Sequence, residues 1–240
     1  MTTATGSGGQ DEAVESAARS RRALVISAVA GVATAIVILG VAVALFFNPL
    51  WVGFEQGRTQ VDAWTGWDAA TIRAVTDSVV GEVFLGPGTF AQRAGGLPVF
   101  SAEEAGHMAD VRHVVIGFAV VVLLAAAALL FARRADRRRE AFWRGVLAGA
   151  VGLAAGLVAA GVFAVFFFDA AFEVFHRLFF APGTYSFDPA TSRLVQLFPE
   201  LFWMETSIAL GIVAIAIAVV TAAVAGRRSR DLRAAAGPGR

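Results

Sequence analysis

The sequence predicts an all-α membrane protein: a four-transmembrane-helix bundle with two outward-facing, partly helical loops and both termini cytoplasmic. Three observations carry this. The chain of 240 residues is 57% hydrophobic and only 16% charged, too apolar for an ordinary soluble domain. Its apolar residues fall in four long blocks without a charge. Its arginines segregate between the segments that join those blocks.

The blocks are 23–47, 114–132, 145–168 and 206–225. Each reaches the roughly 18–20 residues that cross a bilayer core at 1.5 Å of rise per residue. The first is too long for the apolar core of a secretory signal. Its exit, "FFNPLWVGF", offers no small-x-small cleavage pattern, so it reads as a retained helix. The third carries Gly145 and Gly149, then Gly152 and Gly156, two small-xxx-small pairs suited to close helix packing in lipid.

Fourteen of the 20 arginines lie in three places: the N-tail 1–22, the short loop 133–144 and the C-tail 226–240. The positive-inside rule makes all three cytoplasmic. The outer loops are then 48–113 and 169–205, with six arginines against 13 acidic residues. This distribution is a topology signal and calls for no nucleic-acid partner. The small, polar N-tail up to about residue 18 and the C-tail after Arg227, which ends in "AAAGPGR", read as disordered. With no cysteine, disulfides, a thiol nucleophile and thiolate metal sites are excluded, and with no lysine, so is Schiff-base chemistry.

The outer loops hold the polar variety. "TGWDAATIRAVTDSVVGEVFLG" reads as a helix with Thr65 or Asp68 as its cap and Ile72, Val75, Val79, Val80 and Val83 on one face. Ser101 and Glu104 form an S-x-x-E capping box opening a helix that runs straight into the second block. The second outer loop begins as an extension of the third helix and breaks at Pro182. "EVFLGPGTF" and "RLFFAPGTY" echo each other, one in each loop. Convergence on a Pro-Gly turn explains this as well as duplication does.

All three histidines, His107, His113 and His176, sit in these loops. Glu103, His107 and Asp110 share one helical face at i, i+4 and i+7, and Asp169, Glu173 and His176 repeat the spacing. A carboxylate beside an imidazole fixes its tautomer and raises its basicity. The short cytoplasmic loop makes the second and third helices neighbours, which brings the two units together. The plain alternative is a set of solvated residues at an interface. His113 lies off the face of His107 and where the second block enters lipid. Histidines and carboxylates also suit zinc, but no H-E-x-x-H is present. No G-x-S-x-G marks a serine hydrolase, and no ionisable residue inside the blocks marks a transport path.

"EEAGHMADVR" resembles the E-x-x-H-L-x-D-V segment of the lipoprotein intramolecular transacylases called Lit. "FHRLFF", followed by "YSFDP" and "RLVQLFPELFW", resembles their F-H-x-x-F-F segment, and the likeness runs from about Ala23 to Ala225. Met108 stands where that pattern has leucine and Tyr185 where tryptophan is common. The resemblance implies a bacterial cell-membrane acyltransferase of lipoprotein maturation. It would move the sn-2 acyl chain of a diacylglyceryl lipoprotein to the α-amine of its N-terminal cysteine, giving a lyso-form lipoprotein. It implies His176 as the base and His107 as the group that positions the ester or stabilises the oxyanion. Glu104 and Asp110 would orient His107 or close its helix cap, while Phe175, Phe179 and Phe180 would line the acyl chains. The reaction needs no metal and no cofactor, and its partners are the lipoprotein N-terminus and membrane lipid. Two other classes stay open: a non-enzymatic membrane protein whose loops bind lipid or a partner, and a metal-dependent lipid hydrolase.

Overall fold

A computed structural model describes residues 7–136, 139–235 and 237. The first six residues of the expected disordered tail, Arg137 and Arg138 of the short loop, and Arg240 lie outside the described residues. In chain order the elements are α1 (Ser7–Phe46), α2 (Pro49–Arg58), α3 (Val61–Thr65), α4 (Ala69–Phe84), β1 (Arg93–Ala94), β2 (Leu97–Pro98), α5 (Ala102–Ala135), α6 (Glu140–Phe166), α7 (Phe168–Phe179), α8 (Arg193–Leu197) and α9 (Glu200–Ala235). Helices α1, α5, α6 and α9 are long and apolar enough to cross a membrane, which makes this a multi-pass membrane protein. The two short strands pair antiparallel, Arg93 with Pro98 and Ala94 with Leu97.

Among the described residues, each tail is helical where disorder was expected. Helix α1 starts at Ser7 and α9 runs on to Ala235. Ala, Glu, Arg and Gln are strong helix formers. Appended to a nucleated helix they propagate it at little cost.

The chain divides into two compact units, and the four long helices contribute to both. The first holds Met1–Ile38, Val122–Ala155 and Ala216–Arg240. Its core is Ala30, Ala132, Phe142, Val146 and Ala225. Here α1 and α6 touch backbone to backbone: a Cβ on Gly149 would sit 2.0 Å from the Gly31 carbonyl oxygen, and one on Gly145 2.2 Å from that of Ser27. The second glycine pair does not pack. Gly152 and Gly156 have open space around them, because crossing helices touch closely over only a turn or two.

The second unit holds Leu39–Val121 and Gly156–Ile215. Its core gathers Val61, Ile72, Val75, Val79 and Val83 with Phe90, Phe100, Met108, Leu194 and Leu197. The buried face of α4 is the one its spacing predicts, and Asp68 caps it by accepting the Thr71 N–H at 2.7 Å. Thr65 instead ends α3 and accepts from the Trp67 N–H. Helix α2 was not expected, although Asn48 caps it and Pro49 supplies its first residue. It is tied to α9 by Trp51 Nε1–H donating to Thr206 Oγ1 at 3.1 Å and by Arg58 gripping both oxygens of Glu205.

The third membrane helix does not simply extend into the second outer loop. It stops at Phe166, Phe167 leaves helical geometry with φ −139° and ψ 48°, and α7 begins at Phe168. Both Pro-Gly-Thr turns use a left-handed glycine, Gly88 at φ 78° and Gly183 at φ 86°. The first turn is fixed by the Glu82 carboxylate, which accepts from Thr89, Phe90 and Gln92.

Candidate active site

The site lies within the second unit, on α5, α7 and the segment after α7. The first turn of α5 closes as the sequence predicts. Ser101 N–H donates to Glu104 Oε2 at 2.7 Å, and Glu104 N–H donates to Ser101 Oγ at 3.2 Å. Glu104 then does more than cap. It is buried, and its Oε1 accepts both the Ser192 hydroxyl and the Leu194 N–H, the latter at 2.9 Å. One carboxylate thereby pins the start of α5 to the start of α8, 88 residues away in sequence. His107 stands one turn further along α5.

His107 and His176 face each other. Their rings stack with centroids 6.1 Å apart and planes 22° off parallel, and both side chains are buried. Phe180 closes on both, its ring centroid 4.8 Å from His107 and 5.5 Å from His176. Phe187 edges His107 at 5.7 Å, and Phe172 and Tyr185 flank His176 at 4.2 and 5.0 Å.

The imidazoles are held differently. His176 Nδ1 is 2.8 Å from the Phe172 carbonyl oxygen. A carbonyl only accepts, so this nitrogen donates, and in the neutral ring the free lone pair is the one on Nε2. His107 Nδ1 is buried with no hydrogen-bond partner among the described residues. Such a nitrogen is costly in a finished core and suits a site that a ligand completes.

Among the described residues none of Glu103, Asp110, Asp169 and Glu173 hydrogen-bonds either imidazole. Glu103 accepts from the Ser101 hydroxyl at 2.9 Å, and Asp110 and Asp169 are exposed. Glu173 Oε1 accepts from Arg177 Nε at 2.7 Å and from the Tyr185 hydroxyl at 3.2 Å. A backbone carbonyl four residues back reaches His176 more directly than a flexible carboxylate does. His113 is exposed and outside the pair. Phe175 meets His176 edge-on at 5.5 Å, whereas Phe179 packs on Phe175 and stays half exposed.

Sequence reasoning missed Ser192, Phe187 and the role of Tyr185. All three fall in the stretch after Pro182, where only the order of residues was readable. Beside the pair an open cavity of about 450 Å³ is lined by Glu173, Arg177, Pro182, Gly183, Tyr185 and Ser186. Among the described residues no three histidine, aspartate or glutamate side chains gather as a metal site. The arrangement provides one imidazole nitrogen left unbonded by the Phe172 carbonyl, one buried imidazole nitrogen with no hydrogen-bond partner among the described residues, and aromatic rings packed around both histidines.

The family model for the lipoprotein intramolecular transacylase Lit matches residues 26–203. Among solved structures, the chain is similar to the membrane integral lipoprotein intramolecular transacylase Lit from Bacillus cereus. That likeness has a TM-score of 0.75 and 17% identity, and it covers 88% of this chain and 99% of that one. Structures of the same Bacillus protein with one histidine changed to arginine or to alanine match with TM-scores of 0.74 and 0.72. The arginine variant is 16% identical, covering 95% of this chain and 100% of that one. The alanine variant is also 16% identical, covering 90% and 97%. No curated protein sequence matches significantly.

Proposed function

The chain belongs to the family of lipoprotein intramolecular transacylases called Lit, and from that premise we propose that it converts diacylglyceryl lipoproteins to their lyso form in the membrane. The observation that carries the reading is the stacked His107–His176 pair with its two unequal nitrogens.

In this reading the substrate's α-amine attacks the carbonyl carbon of the sn-2 ester. A new C–N bond forms, and the proton leaving nitrogen goes to His176 Nε2, the nitrogen left free by the Phe172 carbonyl. A ring N–H of His107 donates to the developing oxyanion, where a preorganised donor is worth most. The C–O bond to glycerol then breaks, and His176 returns the proton to the departing oxygen. Amine and ester belong to one molecule, so holding them together supplies much of the rate. Phe180 and Phe175 provide the apolar wall for acyl chains. Glu104 positions His107 by fixing the first turn of α5.

The arginine bias of 1–22, 133–144 and 226–240 supports a cytoplasmic location for those segments and an extracytoplasmic one for the histidines. The test is mass spectrometry of lipoprotein N-termini in cells with and without the protein. An N-acylated, lyso-glyceryl cysteine is expected only with it, and His176→Ala abolishes the product. Absence of that product from expressing cells refutes the reading.

A further inference from the structure

Glu173 is free of the duty its spacing suggested, since the Phe172 carbonyl holds His176 Nδ1. Its surroundings assign it another. Oε1 is saturated by Arg177 and by the Tyr185 hydroxyl, which fixes the plane of the carboxylate. Oε2 has no hydrogen-bond partner among the described residues. The hydrogen bond and charge of Arg177 hold the acid below its ordinary range, with Tyr185 adding to the effect, so it is ionised at neutral pH. Glu173 and Tyr185 both line the open cavity, and the Tyr185 ring lies 5.0 Å from the His176 ring. On α7, Glu173 and His176 are one turn apart on one face.

A half-exposed carboxylate with one fixed and one free oxygen, beside a general base, is a receptor for a small cation with several N–H donors. Resting on the transacylase reading, we propose that Glu173 is a specificity-determining residue that binds the α-ammonium of the substrate cysteine and holds it beside His176. At neutral pH most free α-amines are protonated. Glu173 takes the ammonium as it arrives, the ammonium gives one proton to solvent through the open cavity, and the neutral amine left behind is already in line with the ester, with His176 Nε2 still free for the proton lost on attack. A lipoprotein whose amine is already acylated carries no charge for Glu173, so the site favours free-amine substrates. Tyr185 makes this possible, because its hydroxyl steadies the carboxylate while its ring walls the base.

The test uses two unreactive competitors: an ether-linked dialkylglyceryl cysteinyl peptide with a free amine, and its des-amino twin. Inhibition constants are measured against conversion of a diacylglyceryl peptide by the full-length protein in detergent. A charge-assisted hydrogen bond at a half-exposed site should make the amine-bearing competitor about tenfold tighter in wild type. Glu173→Gln should bring the two constants together. Glu173→Asp, which keeps the charge and shortens the reach, should give an intermediate ratio. Normal conversion with no amine preference in wild type, or a full preference kept in both variants, overturns the assignment and leaves the transacylase reading standing. No N-acyl product from wild type overturns both.

Discussion

Glu104 is the residue whose removal has the most calculable effect. Its carboxylate satisfies three donors: the Ser101 N–H, the Ser192 hydroxyl and the Leu194 N–H. Stranding a buried donor costs about 1–3 kcal/mol, and three are stranded at once in Glu104→Ala. Some rescue by water brings the sum to about 3–5 kcal/mol, or about 8–15 °C of melting temperature for a chain of this size. Glu104→Gln keeps the oxygen that serves Ser192 and Leu194 and sets an amide NH₂ against the Ser101 N–H, so its loss is about 1–2 kcal/mol. His107 sits one turn beyond, and a shift of about 1 Å there lowers the rate about 100-fold. The assay pairs thermal unfolding in detergent with the rate of N-acyl product formation. Ser192→Ala supplies the control: because it shares a bond with Glu104, the double variant should lose less than the two singles combined. A Glu104→Ala protein that melts within about 2 °C of wild type and keeps its rate would refute the pinning of α5 to α8.

Three further outcomes follow from the geometry. His107→Ala should lower the rate about 100- to 1,000-fold while leaving substrate affinity nearly unchanged, as expected for a group that acts on the oxyanion; a large rise in KM at normal kcat would assign it to binding instead. Gly149→Ala should lower the melting temperature by several degrees because its Cβ would meet the Gly31 carbonyl oxygen at 2.0 Å, whereas Gly152→Ala, with open space around it, should be neutral or slightly stabilising; equal effects in unfolding scans would contradict the close crossing of α1 and α6. Glu55 is pushed up to about 7 by burial and by neighbouring Glu205, so the folded state holds a proton there that the unfolded chain releases. Stability should therefore fall as pH rises from about 4.5 to 7, and Glu55→Gln should flatten that part of the melting-temperature profile; an unchanged slope would remove Glu55 as its source.

The four membrane helices were legible because length and apolarity suffice to specify them. The capping box of α5 and the buried face of α4 were legible because each depends on residues within a few positions of one another. The meeting of His107 with His176 was legible only in part. Spacing and the short loop brought their helices together, but nothing local foretold the partner of each ring. The Phe172 carbonyl is a backbone atom with no signature of its own, and the Glu104–Ser192 bond joins residues 88 positions apart. The break at Phe167 was hidden because it falls inside "FFF", without proline or glycine to punctuate it. Helix α2 did carry its signals, Asn48 then Pro49, but they followed so closely on an apolar block that they read as its exit.

That break makes the two histidines mechanically unequal. His107 rides on an uninterrupted helix of 34 residues, clamped near its start by Glu104. His176 rides on a helix of 12 residues, jointed to its membrane anchor at a single residue. One imidazole is the fixed jaw of a vice and the other is carried on a short lever. A rotation at Phe167 would carry His176 along with α7 and leave the Glu104 clamp on α5 untouched.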